Sequence, residues 1–192
     1  MAFVSRTLRH SIFTLALMFV PQEVQACKRF ETSLVPCNLS DIIESSKLLP
    51  MGKAMFTVLF WDIYESKLYT SSGRYPIDIV NEQLLFEIKY LTDISNEELI
   101  RRTIEQWQYI GFIDVHYQKF IPELKRLWPD ITDGDSLSLL INNNRSYFYF
   151  NRDYLGEIQS SMFGQMFIDI WLSERTSQPR LRKQLMGEIY NE

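Results

Sequence analysis

The sequence predicts an α+β fold in which helices cover one face of an antiparallel sheet. Three observations point there. Period-2 alternation of apolar and polar residues marks two blocks, 55–91 and 136–158. Apolar stripes at helical spacing mark two others, 95–128 and 160–187. The blocks are segregated rather than finely interleaved, and 192 residues with 46% hydrophobic content suffice for one substantial core.

The chain opens with the grammar of a secretory signal peptide over residues 1–26. Arg6, Arg9 and His10 form a positive start, and the apolar run Ile12 to Val20 is too short to span a bilayer. Val24 and Ala26 then supply a small-residue cleavage site. An N-terminal segment, 27–51, carries both cysteines, Cys27 and Cys37. In an oxidising compartment these are expected to pair, constraining the unfolded chain by roughly 2–3 kcal/mol. The rival reading is lipid attachment at Cys27, which Gln25 and the intervening Pro21-Gln22-Glu23 fit poorly. The expected location is periplasmic or secreted. Ser40 ahead of Asp41 to Glu44 suggests a short helical turn.

Residues 52–192 are expected to form the main domain. It starts with GKAMFTVLFWDIYESKLY, Gly52 to Tyr69. Met55, Thr57, Leu59, Trp61 and Ile63 fall on one side of an extended chain, and Phe56, Val58, Phe60 and Tyr64 on the other. Both sides are apolar until Asp62, as expected for a strand packed on each face, whether core or the wall of a pocket. The polar stretch Asp62 to Lys67 divides it into strands Met55–Ile63 and Lys67–Thr70. A third strand, Leu84–Leu91, alternates Phe86, Ile88 and Tyr90 with Glu87 and Lys89.

The period then changes. Ser95 and Glu98 form a capping box, Leu99, Ile100, Thr103, Ile104, Trp107 and Ile110 an apolar stripe, and Gly111 the stop. Residues 114–128 read as helical with a break or new start at Pro122. Asp133-Gly134-Asp135 turns into strand Ser136–Ile141. Asn142-Asn143-Asn144 and Asn151-Arg152-Asp153 are hairpin turns flanking Tyr147–Phe150, and Tyr154–Ile158 completes a meander. Ser160 or Ser161 opens a helix with Phe163, Phe167 and Trp171 inward, and Arg180–Met186 is a last short helix closed by Gly187.

Much chemistry is excluded. The net charge of −4 argues against nucleic acid as the main partner. Beyond the signal segment His116 is the one histidine, so no His/Cys zinc site of ordinary ligand count assembles, and a Ser-His-Asp triad would have to use His116, which reads as a surface residue. The seven glycines are dispersed, leaving no phosphate-cradling loop. Asp130, Asp133 and Asp135 fit a β-turn better than a calcium loop. No metal or cofactor is expected, and no membrane span. What stands out is aromatic mass: Trp61, Tyr64, Tyr69, Tyr90, Trp107, Tyr147 and Trp171 among others. Buried O–H and N–H groups need partners, which a pocket for an amphiphile supplies at its mouth.

GKAMFTVLFWDIYESKLY, FEIKYL, WPDITDGDSL, YFYFN-x3-LGEI and FIDIWLSERTSQPRLRKQLMG, in that order, resemble the bacterial secreted branch of the chalcone isomerase-like family. The resemblance runs from about Gly52 to Gly187. It implies an open-faced β-sandwich, a large antiparallel sheet under a layer of helices, similar in fold to plant chalcone isomerases and plastid fatty-acid-binding proteins. The isomerases use a strand arginine and threonine with a tyrosine and an asparagine near the helix over the cleft. In this sequence Leu59 falls at the threonine, Ser95 at the tyrosine and Arg102 at the asparagine, and Lys53 is the one cation offered for the arginine. Chalcone cyclisation is therefore not expected, and no catalytic residue is assigned. The fatty-acid-binding relatives imply a cation beside a tyrosine, here Arg102 with Tyr64 or Tyr90.

The resulting expectation is a periplasmic, non-catalytic protein that binds a fatty acid or similar apolar ligand, with Leu59, Trp61, Tyr64, Tyr90, Arg102 and Trp107 lining the site. Two alternatives stand beside it. One is an isomerase or lyase acting on a lipid-derived substrate through Arg102 and Tyr64 or Tyr90. The other is a partner-binding module whose cleft is filled by Trp61, Trp107 and Trp171.

Overall fold

The computed structural model describes residues 38–189, so the signal segment and the Cys27–Cys37 pair lie outside the described residues. Six strands form one sheet in sequence order, each antiparallel to its neighbour: β1 (Leu49–Val58), β2 (Trp61–Thr70), β3 (Leu84–Tyr90), β4 (Ser136–Asn142), β5 (Arg145–Phe150) and β6 (Asp153–Gln159). The helices are α1 (Leu39–Ser45), α2 (Asn96–Ile110), α3 (Asp114–Tyr117), α4 (Ile121–Leu127), α5 (Ser161–Leu172) and α6 (Pro179–Leu185). A 3₁₀ turn, Gln118–Phe120, joins α3 to α4. The α+β architecture is as the sequence predicts.

Register assigns the faces. Phe86, Ile88 and Tyr90 of β3 lie level with Leu139 and Leu137 of β4 and with Leu68, Ser66 and Tyr64 of β2. This face carries the main core, with Trp107, Leu124, Phe163 and Phe167 from the helices. The alternate residues Leu85, Leu140, Tyr147 and Tyr149 form a smaller cluster on the other face, closed by Leu39 of α1.

The helix ends follow local chemistry. Ser95 Oγ accepts from Glu98 N at 3.2 Å, and Gly111 ends α2 with φ 103°. Only half of the expected capping box forms, because the Glu98 carboxylate turns to Arg101 and Arg102 instead of the Ser95 amide. Pro122 sits in the first turn of α4, where its missing N–H costs nothing. Asn38, rather than Ser40, caps α1. Among the turns, Asn143 and Asn144 (φ 49° and 61°) and Asn151 and Arg152 (φ 48° and 77°) take left-handed conformations. The Asp135 carboxylate holds its own turn, accepting from Thr132 N and Asn151 Nδ2, both at 2.8 Å.

Two glycines set the spacing of the layers. A Cβ at Gly164 would lie 3.0 Å from Ser146 Oγ, so α5 sits close on the sheet. At Gly52 a Cβ would strike the carbonyls of Gln184 and Leu185, where α6 crosses β1.

The opening stretch differs from expectation. Its turn is at Leu59-Phe60, with Val58 opposite Trp61, not in the polar segment Asp62 to Lys67. The strands Met55–Ile63 and Lys67–Thr70 are thus replaced by two ten-residue strands. The polar segment stays in β2 because its charges find partners along the hairpin. Glu65 pairs with Lys53 at 2.6 Å and Lys67 at 3.3 Å, and Asp62 accepts from Thr57 Oγ1 at 2.6 Å. The doubly apolar reading fails for the same reason. The central residues Leu59 and Phe60 are 85% and 95% exposed, so they belong to an uncovered tip and not to a two-sided wall.

Candidate functional site

Between the sheet and the helices lies an apolar cavity of about 500 Å³. β1 to β3 supply its floor through Phe56, Tyr64, Phe86, Ile88 and Tyr90. α2 contributes Leu99, Thr103 and Gln106; α5 contributes Phe167, Ile170 and Trp171; Trp128 follows α4. The rim is marked by its exposed members: Val58 on the hairpin, Asp93 after β3, Arg102 on α2 and Gln178 before α6.

The floor is set by strand register. Phe56 pairs with Tyr64 and Tyr64 with Tyr90, so three rings run across adjacent strands. Phe56 stacks on Tyr64 at 5.0 Å, and Tyr64 meets Tyr90 edge-on at 6.0 Å. A bulge between Phe56 and Thr57 brings Ile63 as well as Tyr64 to the cavity. Tyr64 Oη accepts from Trp171 Nε1 at 2.9 Å, tying the sheet to α5. That bond uses Tyr64 as acceptor and leaves its own proton available to donate. The Tyr90 hydroxyl has no hydrogen-bond partner among the described residues. Burial pushes the Tyr64 phenol up to about 12, with the Trp171 N–H pulling the other way. Tyr90 is pushed up as well, by burial first and then by Tyr64 beside it. Both are neutral donors at ordinary pH.

Arg102 stands at the rim with its guanidinium occupied. Nε meets Glu98 Oε1 at 2.8 Å and Nη1 meets Glu105 Oε2 at 3.3 Å, with 63% of the side chain exposed. Arg101, and then Arg102, hold the Glu98 carboxyl below its ordinary range. Two carboxylates, Glu98 and Glu105, and two guanidiniums, Arg101 and Arg102, therefore cancel along one face of α2. Among the described residues, Arg102 is the one cation lining the cavity, and no Cys or His lines it. Catalysis by proton transfer or covalent attack needs a placed base or nucleophile. The carboxylates Asp93 and Glu98 lie at the rim, and His116 is spent on accepting from Ile113 N at 3.2 Å.

The structure brings together Tyr64, Tyr90 and Arg102 of the expected site and separates the other three. Trp61, 73% exposed, and Leu59 sit on the hairpin tip outside the lining. Leu59 is a turn residue with φ 57°, which removes it from the strand position that the resemblance suggested. Trp107 is fully buried beneath α5, donating from Nε1 to the Met166 carbonyl at 3.0 Å and stacking on Tyr117. Lys53 pairs with Glu65 on the sheet face opposite Ala54 and Ser66, away from the cavity. The cleft is open: of the three tryptophans expected to fill it, only Trp171 lines it. Phe86, Trp128, Phe148 and Phe167 were missed as lining residues. Their apolar periodicity is legible, but it does not distinguish a packed core from the wall of a void.

Comparison with known proteins agrees with this architecture. The chalcone isomerase-like family pattern matches residues 40–187. An uncharacterized protein of Haemophilus influenzae is 27% identical over 140 residues, covering 72% of this chain and 68% of that one. Among solved structures, a fatty-acid-binding protein of Arabidopsis thaliana superposes with a TM-score of 0.57 at 11% identity, covering 80% of this chain and 91% of that one. At that identity the likeness is one of fold. With the six-stranded sheet, the helix layer and a family match over most of its length, the chain belongs to the chalcone isomerase-like family.

Proposed function

We propose that this protein binds one fatty acid or similar apolar chain in the cavity between sheet and helices, as a non-catalytic carrier acting in the periplasm. The observation that carries the proposal is the cavity itself. At about 500 Å³ it has the size of a small-molecule site, with apolar walls and two neutral phenols at its floor. The fold shared with a plant fatty-acid-binding protein supports the same ligand class. Among the described residues no Cys or His lines the cavity to activate its serine, threonine and tyrosine hydroxyls, which favours binding without turnover. The periplasmic part rests on the signal-peptide pattern of residues 1–26.

Native mass spectrometry of protein purified without delipidation, followed by palmitate titration, tests the reading. The expected outcome is a one-to-one acyl adduct and saturable uptake. Bare protein that takes up no acyl chain on titration would remove it.

A further inference from the structure

We propose that the tip of the β1–β2 hairpin docks the protein onto a lipid bilayer, setting the cavity rim against the apolar layer from which its ligand is drawn. This rests on the acyl-binding reading above for its purpose, but its geometry stands apart from it. Val58, Leu59, Phe60 and Trp61 are 46%, 85%, 95% and 73% exposed, four consecutive apolar side chains on a convex end.

The turn chemistry argues that these side chains are there for a reason. Two-residue hairpin loops favour glycine or asparagine where φ is positive. Leu59 takes φ 57°, a left-handed conformation that a branched apolar residue adopts at a cost. Its neighbour Phe60 gains nothing by burial in the free protein, so neither local conformation nor the core accounts for the pair.

The shape selects a bilayer over a protein. Fully exposed aromatics present roughly 150–250 Å² each, so the tip offers on the order of 500–600 Å². A standard protein interface buries about 800 Å² per partner. Beyond the tip the surface turns polar at once. The next rung of the hairpin is Thr57 opposite Asp62, hydrogen-bonded at 2.6 Å. The apolar end is therefore the turn plus one rung, and a strand rises about 3.4 Å per residue. That depth suits the outer acyl region, about 5–10 Å, reached by interfacial segments. Trp61 on the last apolar rung is the residue type that anchors at this boundary.

The tip also adjoins the cavity, through Val58 at its rim. Phe56 and Val58 lead from the cavity to the tip along β1, and Ile63 and Tyr64 lead back along β2. A surface that covers the tip is thus continuous with the cavity rim. The tip bears no cation and Asp62 borders it, so the fitting partner is a zwitterionic bilayer held without electrostatic help.

Flotation of the purified protein with phosphatidylcholine vesicles tests this, together with tryptophan emission. The other tryptophans are at most 9% exposed, so a blue shift reports Trp61. The comparison is the double variant Leu59→Gly, Phe60→Asn, which suits the turn better than the native pair. The wild type is expected to float and shift to the blue, undiminished by high salt. The variant is expected to partition at least tenfold more weakly, keep or raise its melting temperature, and still take up palmitate from cyclodextrin. A wild type that stays with the soluble fraction overturns the proposal, as does a variant that floats equally well. Self-association of the wild type that the variant abolishes, without flotation, overturns it in favour of a second copy. Flotation without palmitate uptake by either protein supports docking and removes the ligand reading alone.

Discussion

Tyr64 and Tyr90 are neighbours on one cavity floor, yet their hydroxyls stand in opposite circumstances, and replacing each by phenylalanine separates the two. Tyr64→Phe removes the oxygen that accepts from Trp171 Nε1 at 2.9 Å. Trp171 is 9% exposed, so its N–H would be left in an apolar site at a cost of about 1–3 kcal/mol. In a domain of this size each kcal/mol lowers the melting temperature by about 2–4 °C. The expected fall is therefore about 2–12 °C. Tyr90→Phe deletes a hydroxyl with no partner among the described residues, so the expected change in stability is near zero or a small gain. The order reverses with ligand present. If Tyr90 donates to the ligand's polar end, its loss weakens binding by the value of one neutral hydrogen bond, about 0.5–1.5 kcal/mol, or about 2–10-fold. Thermal unfolding of the ligand-free variants gives the first number and palmitate titration the second. A double-mutant cycle with Trp171→Phe should place most of the Tyr64 loss in their coupling. A Tyr90→Phe variant destabilised as much as Tyr64→Phe would refute the account of which hydroxyl is engaged.

Three further outcomes follow from the same structure. Tyr64 is raised from 10.0 to about 12, so the folded state holds its proton longer than the unfolded chain. The stability this contributes is present in full below pH 10 and is lost as the pH rises toward 12. Phenolate absorbance of the two floor tyrosines should accordingly appear only with loss of tertiary structure; all ten tyrosines ionising near pH 10 in an intact fold would contradict it. Gly52→Ala should cost about 3 kcal/mol or more, because the new Cβ meets backbone carbonyls of α6 and not a side chain that can turn away; urea unfolding reads this, and an unchanged midpoint would show that α6 does not press on β1. Arg102→Ala should weaken palmitate binding by less than about threefold, since Glu98 and Glu105 already hold the guanidinium at an exposed rim. A tenfold loss in that titration would mean the arginine leaves them for the ligand.

The fold was legible because its signals are local and repeated. Ser95, Gly111, Ser160 and Gly187 mark helix ends, and alternation through Phe86, Ile88 and Tyr90 marks a strand one face of which meets the core. The hairpin turn was not, because Leu59-Phe60 lacks turn chemistry while Asp62 to Lys67 has its composition. Cross-strand ion pairs keep that polar segment in the sheet, and such pairing is invisible until register is known. The same error displaced Leu59 and Trp61 from the site: a turn mistaken for a strand turns an exposed tip into a wall. Trp107 shows the other limit. Its stripe position is right, but whether a stripe residue meets a void or another ring depends on the packing of α5.

Among the described residues the cavity's one cation stands at its rim, and its floor offers neutral phenols and no charge. An acid that enters head-first must therefore shed its charge, because a bare carboxylate among apolar walls is too costly to keep. It does so by carrying a proton inward. Its apparent affinity would then fall about tenfold for each pH unit above the acid's own pKa. A tail-first acid leaves its carboxylate at the rim in water and takes up no proton. Counting protons on binding thus reports which way round the guest lies, and an alcohol of equal length, blind to pH in either pose, supplies the reference.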